Sequence, residues 1–276
     1  MNIAVLSGKG GTGKTTVSTN LALALKANYM DCDVEEPNGF IFLKPEINKT
    51  EEVMMLYPFI DEEKCTLCGK CVENCEFNAL SKVKKDIMLF EKLCHGCGAC
   101  KISCEYGAIE YKERCSGIVE TGSVGDIICK RGVLNIGEPM AVPVIKKILK
   151  SLPKGANLID CPPGTSCNVV TALKYADAAI LVTEPSQFGL HDLKMAVELV
   201  KMYNIPFGII INKDDGTHNI VKKYCSEDNI KLIGSIPYNK KSAVIYSNGH
   251  ILYEDSEHKD IFDKLACNVK EMLKWN

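Results

Sequence analysis

Two kinds of hydrophobic pattern divide this chain. Residues 2–7, NIAVLS, form a short apolar run that leads into a glycine-rich turn, and TTVSTNLALALKA (15–27) then reads as a helix rich in Ala and Leu. A short apolar run without polar alternation fits a strand buried on both faces, so the chain opens as strand, loop, helix. A second short strand is expected to end at YMDCD (29–33). From about residue 140 the alternation is regular. Helices AVPVIKKILKSL, NVVTALKYA, LHDLKMAVELVKMY and NIVKKYCSED alternate with strands NLIDCP, AAILVT, PFGIIIN and KLIGSIP, and closing helices follow. The pattern predicts an α/β fold, a parallel sheet with helices on both faces. In the last helix Ile261, Phe262, Leu265, Val269, Met272 and Leu273 fall at helical spacing. Such a stripe is expected to pack into the core rather than onto a membrane or a partner helix.

Between these regions the pattern is weaker. VEEPNGFIFLKPEINKTEEVMMLYPFI carries turn residues and faint strand signals without a long period. A cysteine-rich segment then repeats with an offset of 29 residues, from Cys65 to Cys94, each half being a cysteine motif followed by a short apolar piece. The expected organisation is a split sheet domain, 1–60 and 113–276, around an insert at 61–112.

Composition narrows the function. With 276 residues and 46% hydrophobic content the chain can build a sizeable core. Its 33 basic and 35 acidic residues nearly cancel, giving no global footprint for nucleic acid. The opening MNIAVLSGKGG lacks the pattern of a secretory leader, and no apolar run approaches membrane-spanning length. A cytoplasmic protein without stable membrane insertion is expected. In that reducing setting, fifteen cysteines argue for metal or redox work rather than a disulfide framework.

GKGGTGKTT (8–16) fits G-x-x-x-x-G-K-[ST], with Gly8, Gly13, Lys14 and Thr15 in the fixed positions. Backbone amides along Gly10, Gly11, Thr12, Gly13 and Thr16 would face phosphate, and the helix that follows adds its positive end. Lys14 is expected to neutralise β- and γ-phosphate charge and Thr15 to ligate Mg²⁺, which makes ATP and Mg²⁺ the expected cofactors. Lys9, taken alone, would be a solvated lysine. However, KGGTGKT resembles the deviant Walker A loop of the MinD/ParA and nitrogenase-iron-protein class of P-loop ATPases. That resemblance implies an ATP-dependent dimer, with itself or with a sister ATPase, in which Lys9 reaches the nucleotide of the other subunit.

The resemblance extends along the sheet domain. DCDVEEPN (31–38) is similar to the family's switch I, which implies that Asp33 positions the attacking water. LIDCPPGT (158–165) is similar to Walker B and switch II, which implies Asp160 near Mg²⁺ and Gly164 near the γ-phosphate. Either aspartate alone would read as a strand-end or cap residue. Asn212, in IIINKDD (209–215), would by resemblance read the adenine edge, against the plain alternative of a turn-forming asparagine.

Both cysteine motifs have the spacing C-x2-C-x2-C-x3-C and resemble the bacterial ferredoxin run, in which the fourth cysteine serves the other cluster. The resemblance implies one [4Fe–4S] cluster on Cys65, Cys68, Cys71 and Cys104, and a second on Cys94, Cys97, Cys100 and Cys75. Zinc, which two CxxC pairs could hold, and disulfides are the alternatives. Glu76 and Glu105 stand where that run usually has proline. The remaining Cys32, Cys115, Cys129, Cys161, Cys167, Cys225 and Cys267 are expected to be small buried hydrophobes. Cys129, in GSVGDIICKRG, has a superficial likeness to the iron protein's bridging-cysteine segment, but it precedes LIDCPPGT where the counterpart follows it.

As a whole the chain resembles MinD-superfamily ATPases that contain an inserted ferredoxin domain. That resemblance implies ATP hydrolysis coupled to electron transfer through two clusters to a redox partner. The alternative is an ATP-dependent assembly or carrier factor that hands clusters to an acceptor protein. A spatial-organising ATPase with structural clusters fits least, since no basic membrane-binding tail is present.

Overall fold

A computed structural model describes residues 1–217 and 219–275. Its strands are β1 (Asn2–Leu6), β2 (Asn28–Asp31), β3 (Glu46–Ile60), β4 (Leu80–Val83), β5 (Asp86–Leu89), β6 (Ile109–Val124), β7 (Ile127–Leu134), β8 (Asn157–Asp160), β9 (Ala178–Thr183), β10 (Phe207–Asp214) and β11 (Lys231–Pro237). Its helices are α1 (Lys14–Leu25), α2 (Gly39–Leu43), α3 (Lys70–Glu73), α4 (Ala99–Ile102), α5 (Val142–Leu149), α6 (Cys167–Leu173), α7 (Gln187–Lys201), α8 (Ile220–Glu227), α9 (Lys240–Ser247) and α10 (Ser256–Leu273).

Nine strands make one sheet in the order β11-β10-β9-β1-β8-β2-β7-β6-β3. From β11 to β7 every neighbouring pair is parallel, as the unbroken apolar runs predict. Alternate residues face opposite helical layers, the period of a pleated strand. Ala4 and Leu6 meet α5, α6, α7 and α8, whereas Ile3 and Val5 meet α1 and α10. In α10, Phe262, Leu265 and Val269 are buried and Ile261, Met272 and Leu273 pack beside them.

The last three strands correct the expectation of a wholly parallel sheet. β7 pairs antiparallel with β6, and β6 with the 15-residue β3. Glu46–Thr50 is exposed, so this stretch has no apolar face for a sequence pattern to reveal. The β3–β6 ribbon runs on past the end of β7. Its exit is marked by a bulge, because Val53 pairs Gly117 but Met54 pairs Cys115, leaving Ser116 over. Ser116 is fully buried, its hydroxyl donates to the Val53 carbonyl, and its own carbonyl accepts from Asn135 N–H.

Beyond the bulge, Met54–Ile60 and Ile109–Cys115 form a two-stranded arm with residues 61–108 at its tip. The tip has an internal two-fold pattern at the repeat offset. Ile60 pairs Ile109 at the arm's end, and Leu80 pairs Leu89 in the β4–β5 hairpin, each exactly one 29-residue repeat from its counterpart. Gly69 and Gly98 both enter their short helices, α3 and α4, in the left-handed conformation, at φ of 89° and 91°. The small core between the halves is Leu80, Ile87 and Ile109, and its other buried members are Cys71 and Cys100.

Candidate functional site: a phosphate loop and two four-cysteine cavities

The carboxyl ends of β1, β2, β8 and β10 converge on one cleft, the crevice that open α/β sheets offer to ligands. The loop after β1 forms its floor. Gly13 sits at φ 87° and caps α1, and a Cβ there would stand 2.1 Å from Asn212 Nδ2, so glycine is required both for conformation and for room. The cleft holds about 440 Å³ and is lined along the loop by Gly10 through Thr16. Asp33, Pro163 and Asn212 contribute side walls. The Thr12 hydroxyl is buried without a partner, a polar atom left for an anion that the loop amides could hold.

Lys14 is buried and donates to Asp160 Oδ1 at 2.6 Å, with Asp33 Oδ2 at 3.7 Å. Burial opposes its charge, yet Asp160 and Asp33 hold the ammonium above its ordinary value. Asp160 is wholly buried and accepts a second bond from Tyr29 Oη at 2.8 Å. Burial and the Asp160 carboxylate push the Tyr29 phenol well up. Asp33 stays partly exposed, and burial lifts its carboxyl to about 6 against the pull of Lys14.

Asp31, which the likeness to switch I does not single out, belongs to the same cluster. It ends β2 in register with Asp160, and its carboxylate accepts the Asp33 and Gly39 amides. Gly39 can approach because it has no side chain; a Cβ would stand 2.1 Å from Tyr29 Oη. Burial, then Asp160, drive the Asp31 carboxyl up to about 8. The available signal was the i, i+2 spacing, which puts Asp31 and Asp33 on one side of the strand end.

The other candidate residues fall around this cluster. Thr15 and Thr16 line the cleft at the start of α1, and the Gly164 amide donates to the Ser7 carbonyl at the cleft's rim. Asn212 Nδ2 donates to the Thr12 carbonyl at 2.8 Å and so braces the loop. Lys9 does not reach the cluster. It is tied to Glu184 Oε1 at 2.6 Å, and Lys213, 3.9 Å from Glu184 Oε2, donates to the Gly11 carbonyl. The Lys9 bond holds the Glu184 carboxyl below the usual range. Gly8 packs against the Asp192 carbonyl, where a Cβ would stand at 2.2 Å.

At the tip of the arm are two small cavities. Cys65, Cys68, Cys71 and Cys104 line one, and Cys75, Cys94, Cys97 and Cys100 line the other. In each, one cysteine is exposed as a residue, Cys68 and Cys97. Backbone amides already point at sulfur: Ala79 N–H to Cys75 and Ala108 N–H to Cys104, both at 3.3 Å, again one repeat apart. Among the described residues no three His, Cys, Asp or Glu side chains converge as ligands of a single metal ion. Of the isolated cysteines, Cys32, Cys129, Cys161 and Cys225 are buried as expected, Cys115 is half-buried, and Cys167 and Cys267 are exposed. No helix among the described residues is long and apolar enough to cross a membrane.

Known proteins resemble the chain along its length. The family model of the CobQ/CobB/MinD/ParA nucleotide binding domain matches residues 3–252. An uncharacterized protein of Methanocaldococcus jannaschii is 32% identical over 96% of this chain and 96% of its own length. An iron–sulfur cluster carrier protein of Pyrococcus horikoshii is 25% identical over 99% of this chain and 86% of its own. Among solved structures, the septum site-determining protein MinD of Pyrococcus horikoshii, complexed with Mg-ADP, shares the fold with a TM-score of 0.61 at 21% identity, covering 99% of this chain and 96% of that one.

Proposed function

The chain belongs to the CobQ/CobB/MinD/ParA family of nucleotide-binding domains, and from that premise we propose that it is a Mg-ATP-dependent iron–sulfur cluster carrier whose arm holds two [4Fe–4S] clusters. The observation that carries this reading is the division of eight cysteines into two cavities of four, each taking three thiols from one motif and the fourth from the other. Four thiols around each cavity, three on one tight loop and the fourth crossing from the other motif, fit the four iron corners of a cubane. Soft thiolate donors suit that choice.

In the cleft, Thr15 would ligate Mg²⁺ with Asp160 nearby, and the ion would supply charge neutralisation at the phosphates. Lys14, already charged and aimed by Asp160 and Asp33, would turn to the phosphates; Asp33 would orient the attacking water. Lys9 would leave Glu184 for the nucleotide of a second subunit.

Delivery is favoured by the carrier-named relatives and by the one exposed cysteine at each cavity, beside which an acceptor's ligand could approach. Electron transfer, the use expected from the sequence, draws support from a different observation: Cys71, Cys94 and Cys100 are buried, the build of a site that retains its cluster. One anaerobic experiment separates them. Reconstituted protein is incubated with an apo-ferredoxin and Mg-ATP, and cluster content of both proteins is followed by absorbance and EPR. Delivery predicts ATP-stimulated transfer that Lys14→Ala abolishes. Retention of both clusters, with redox cycling during turnover, would overturn the carrier reading.

A further inference from the structure

The cleft extends from the phosphate loop to a wall built by the end of β11 and by α9, where Pro237, Tyr238, Ser242, Ala243 and Tyr246 face it. An apolar, aromatic wall opposite a phosphate floor has the shape and chemistry of a subsite for a planar base. Behind it lies a three-residue relay. Ser242 Oγ is 2.7 Å from His258 Nε2, and His258 Nδ1 is 2.7 Å from Asp255 Oδ2. His258 is buried, at 2% exposure, and Lys241 holds the other oxygen of Asp255 at 2.5 Å. The relay spans two elements, Ser242 in α9 and His258 in the first turn of α10.

Resting on the reading of the cleft as a nucleotide site, we propose that Ser242 is its base-reading group, an acceptor that selects a purine bearing an exocyclic amine at C6. The direction of the relay fixes this. Asp255, salt-bridged to Lys241, can only accept, so the neutral imidazole carries its single proton on Nδ1. Nε2 is then a lone pair, and Ser242 must donate its only proton there. What the hydroxyl can offer the cleft is oxygen lone pairs. The 6-amino group of adenine donates to such an atom. A 6-oxo group would set acceptor against acceptor and leave both without a partner, a mismatch that costs more than the lost bond.

Asp255 also sits at the N-cap position of α10, so the same bonds seat α9 against α10. Seating alone would affect every nucleotide alike, and discrimination between bases would not. The test therefore compares ATP with inosine triphosphate, which replaces the amine by an oxo group, in titrations of the whole anaerobic protein. Wild type should bind ATP about tenfold more tightly than inosine triphosphate, and Ser242→Ala should lose most of that ratio by weakening ATP. His258→Phe, which frees the Ser242 proton to face the cleft, should shift the ratio toward inosine triphosphate. Equal affinity of wild type for the two nucleotides overturns the proposal without any variant having to fold. So does a Ser242→Ala protein that loses affinity for both alike or keeps the wild-type ratio. Binding of neither nucleotide by wild type would overturn the nucleotide reading itself, and this proposal with it.

Discussion

Replacing Glu184 by glutamine should make the protein dimerise more readily. In the single chain Lys9 is held at 2.6 Å by Glu184, with side-chain exposures of 33% and 23%. If Lys9 is to serve a neighbouring subunit it must first leave that carboxylate, and a symmetric dimer breaks the contact twice. A partly solvated, charge-assisted pair of this kind is worth about 1 kcal/mol after discounting for solvent screening. Two such contacts amount to roughly 2 kcal/mol, a change of about 30-fold in the dimerisation constant. Glutamine keeps an acceptor for the Ser186 hydroxyl, now 3.2 Å from Glu184 Oε1, while removing the charge that attracts Lys9. Sedimentation velocity with Mg-ATP, under anaerobic conditions, would read the shift. Lys9→Ala should abolish ATP-dependent dimerisation in both backgrounds. If Glu184→Gln leaves the constant within a factor of two or weakens association, Glu184 is not a restraint on Lys9.

Lys14→Ala should remove phosphate release from ATP while leaving iron content unchanged, as measured by a coupled phosphate assay and iron analysis. Cys75→Ser should cost about four irons from the cavity whose other ligands are Cys94, Cys97 and Cys100, and Cys104→Ser the cluster of the opposite motif; EPR of the two variants should therefore show complementary spectra, and loss of the cluster belonging to the same motif would refute the crossed assignment. Asp31→Asn should stabilise the nucleotide-free, Mg-free protein at neutral and alkaline pH. The native Asp31 carboxyl, raised to about 8, keeps a proton that the unfolded chain releases in the ordinary carboxylate range. Its contribution is thus full only below the ordinary carboxylate range and is lost progressively as pH rises to about 8, so the melting temperature of Asp31→Asn should fall less between pH 5 and 8 than that of wild type.

What could be read in advance depended on burial. β1, β8, β9 and β10 are covered on both faces, so Ile3–Leu6 and Ala178–Thr183 carry no polar residue until their ends, and the loop after β1 announces itself by glycine and lysine spacing. β3 was not legible because its first stretch, Glu46–Thr50, is exposed on both faces and shows no period, and the alternation of buried Val53 and Met55 with exposed Met54 and Leu56 is short and apolar on both sides. Asp31 stood in view beside Asp33, but only the β2–β8 register brings it against Asp160. Ser242, Asp255 and His258 are joined across a helix–helix contact, which local patterns do not report. The cysteine partition is the converse case, where the two sets implied by the resemblance to the ferredoxin run are the sets that line the two cavities.

The arm leaves the sheet at the Ser116 bulge, and just beyond it the Arg114 guanidinium joins the arm to Glu138 of the body and to the Glu91 carbonyl of the tip. Both connections to the tip leave through that one ribbon, on facing strands, and the seven residue pairs from Met54 to Ile60 span roughly 20 Å. The bulge is wired to the nucleotide side by short links: Asn135 grips the Ser116 and Cys115 carbonyls, and Leu134 N–H donates to the carbonyl of Val34, next to Asp33. The strand that ends at the phosphate side and the root of the arm are therefore joined by a handful of backbone and amide hydrogen bonds rather than by a separate hinge.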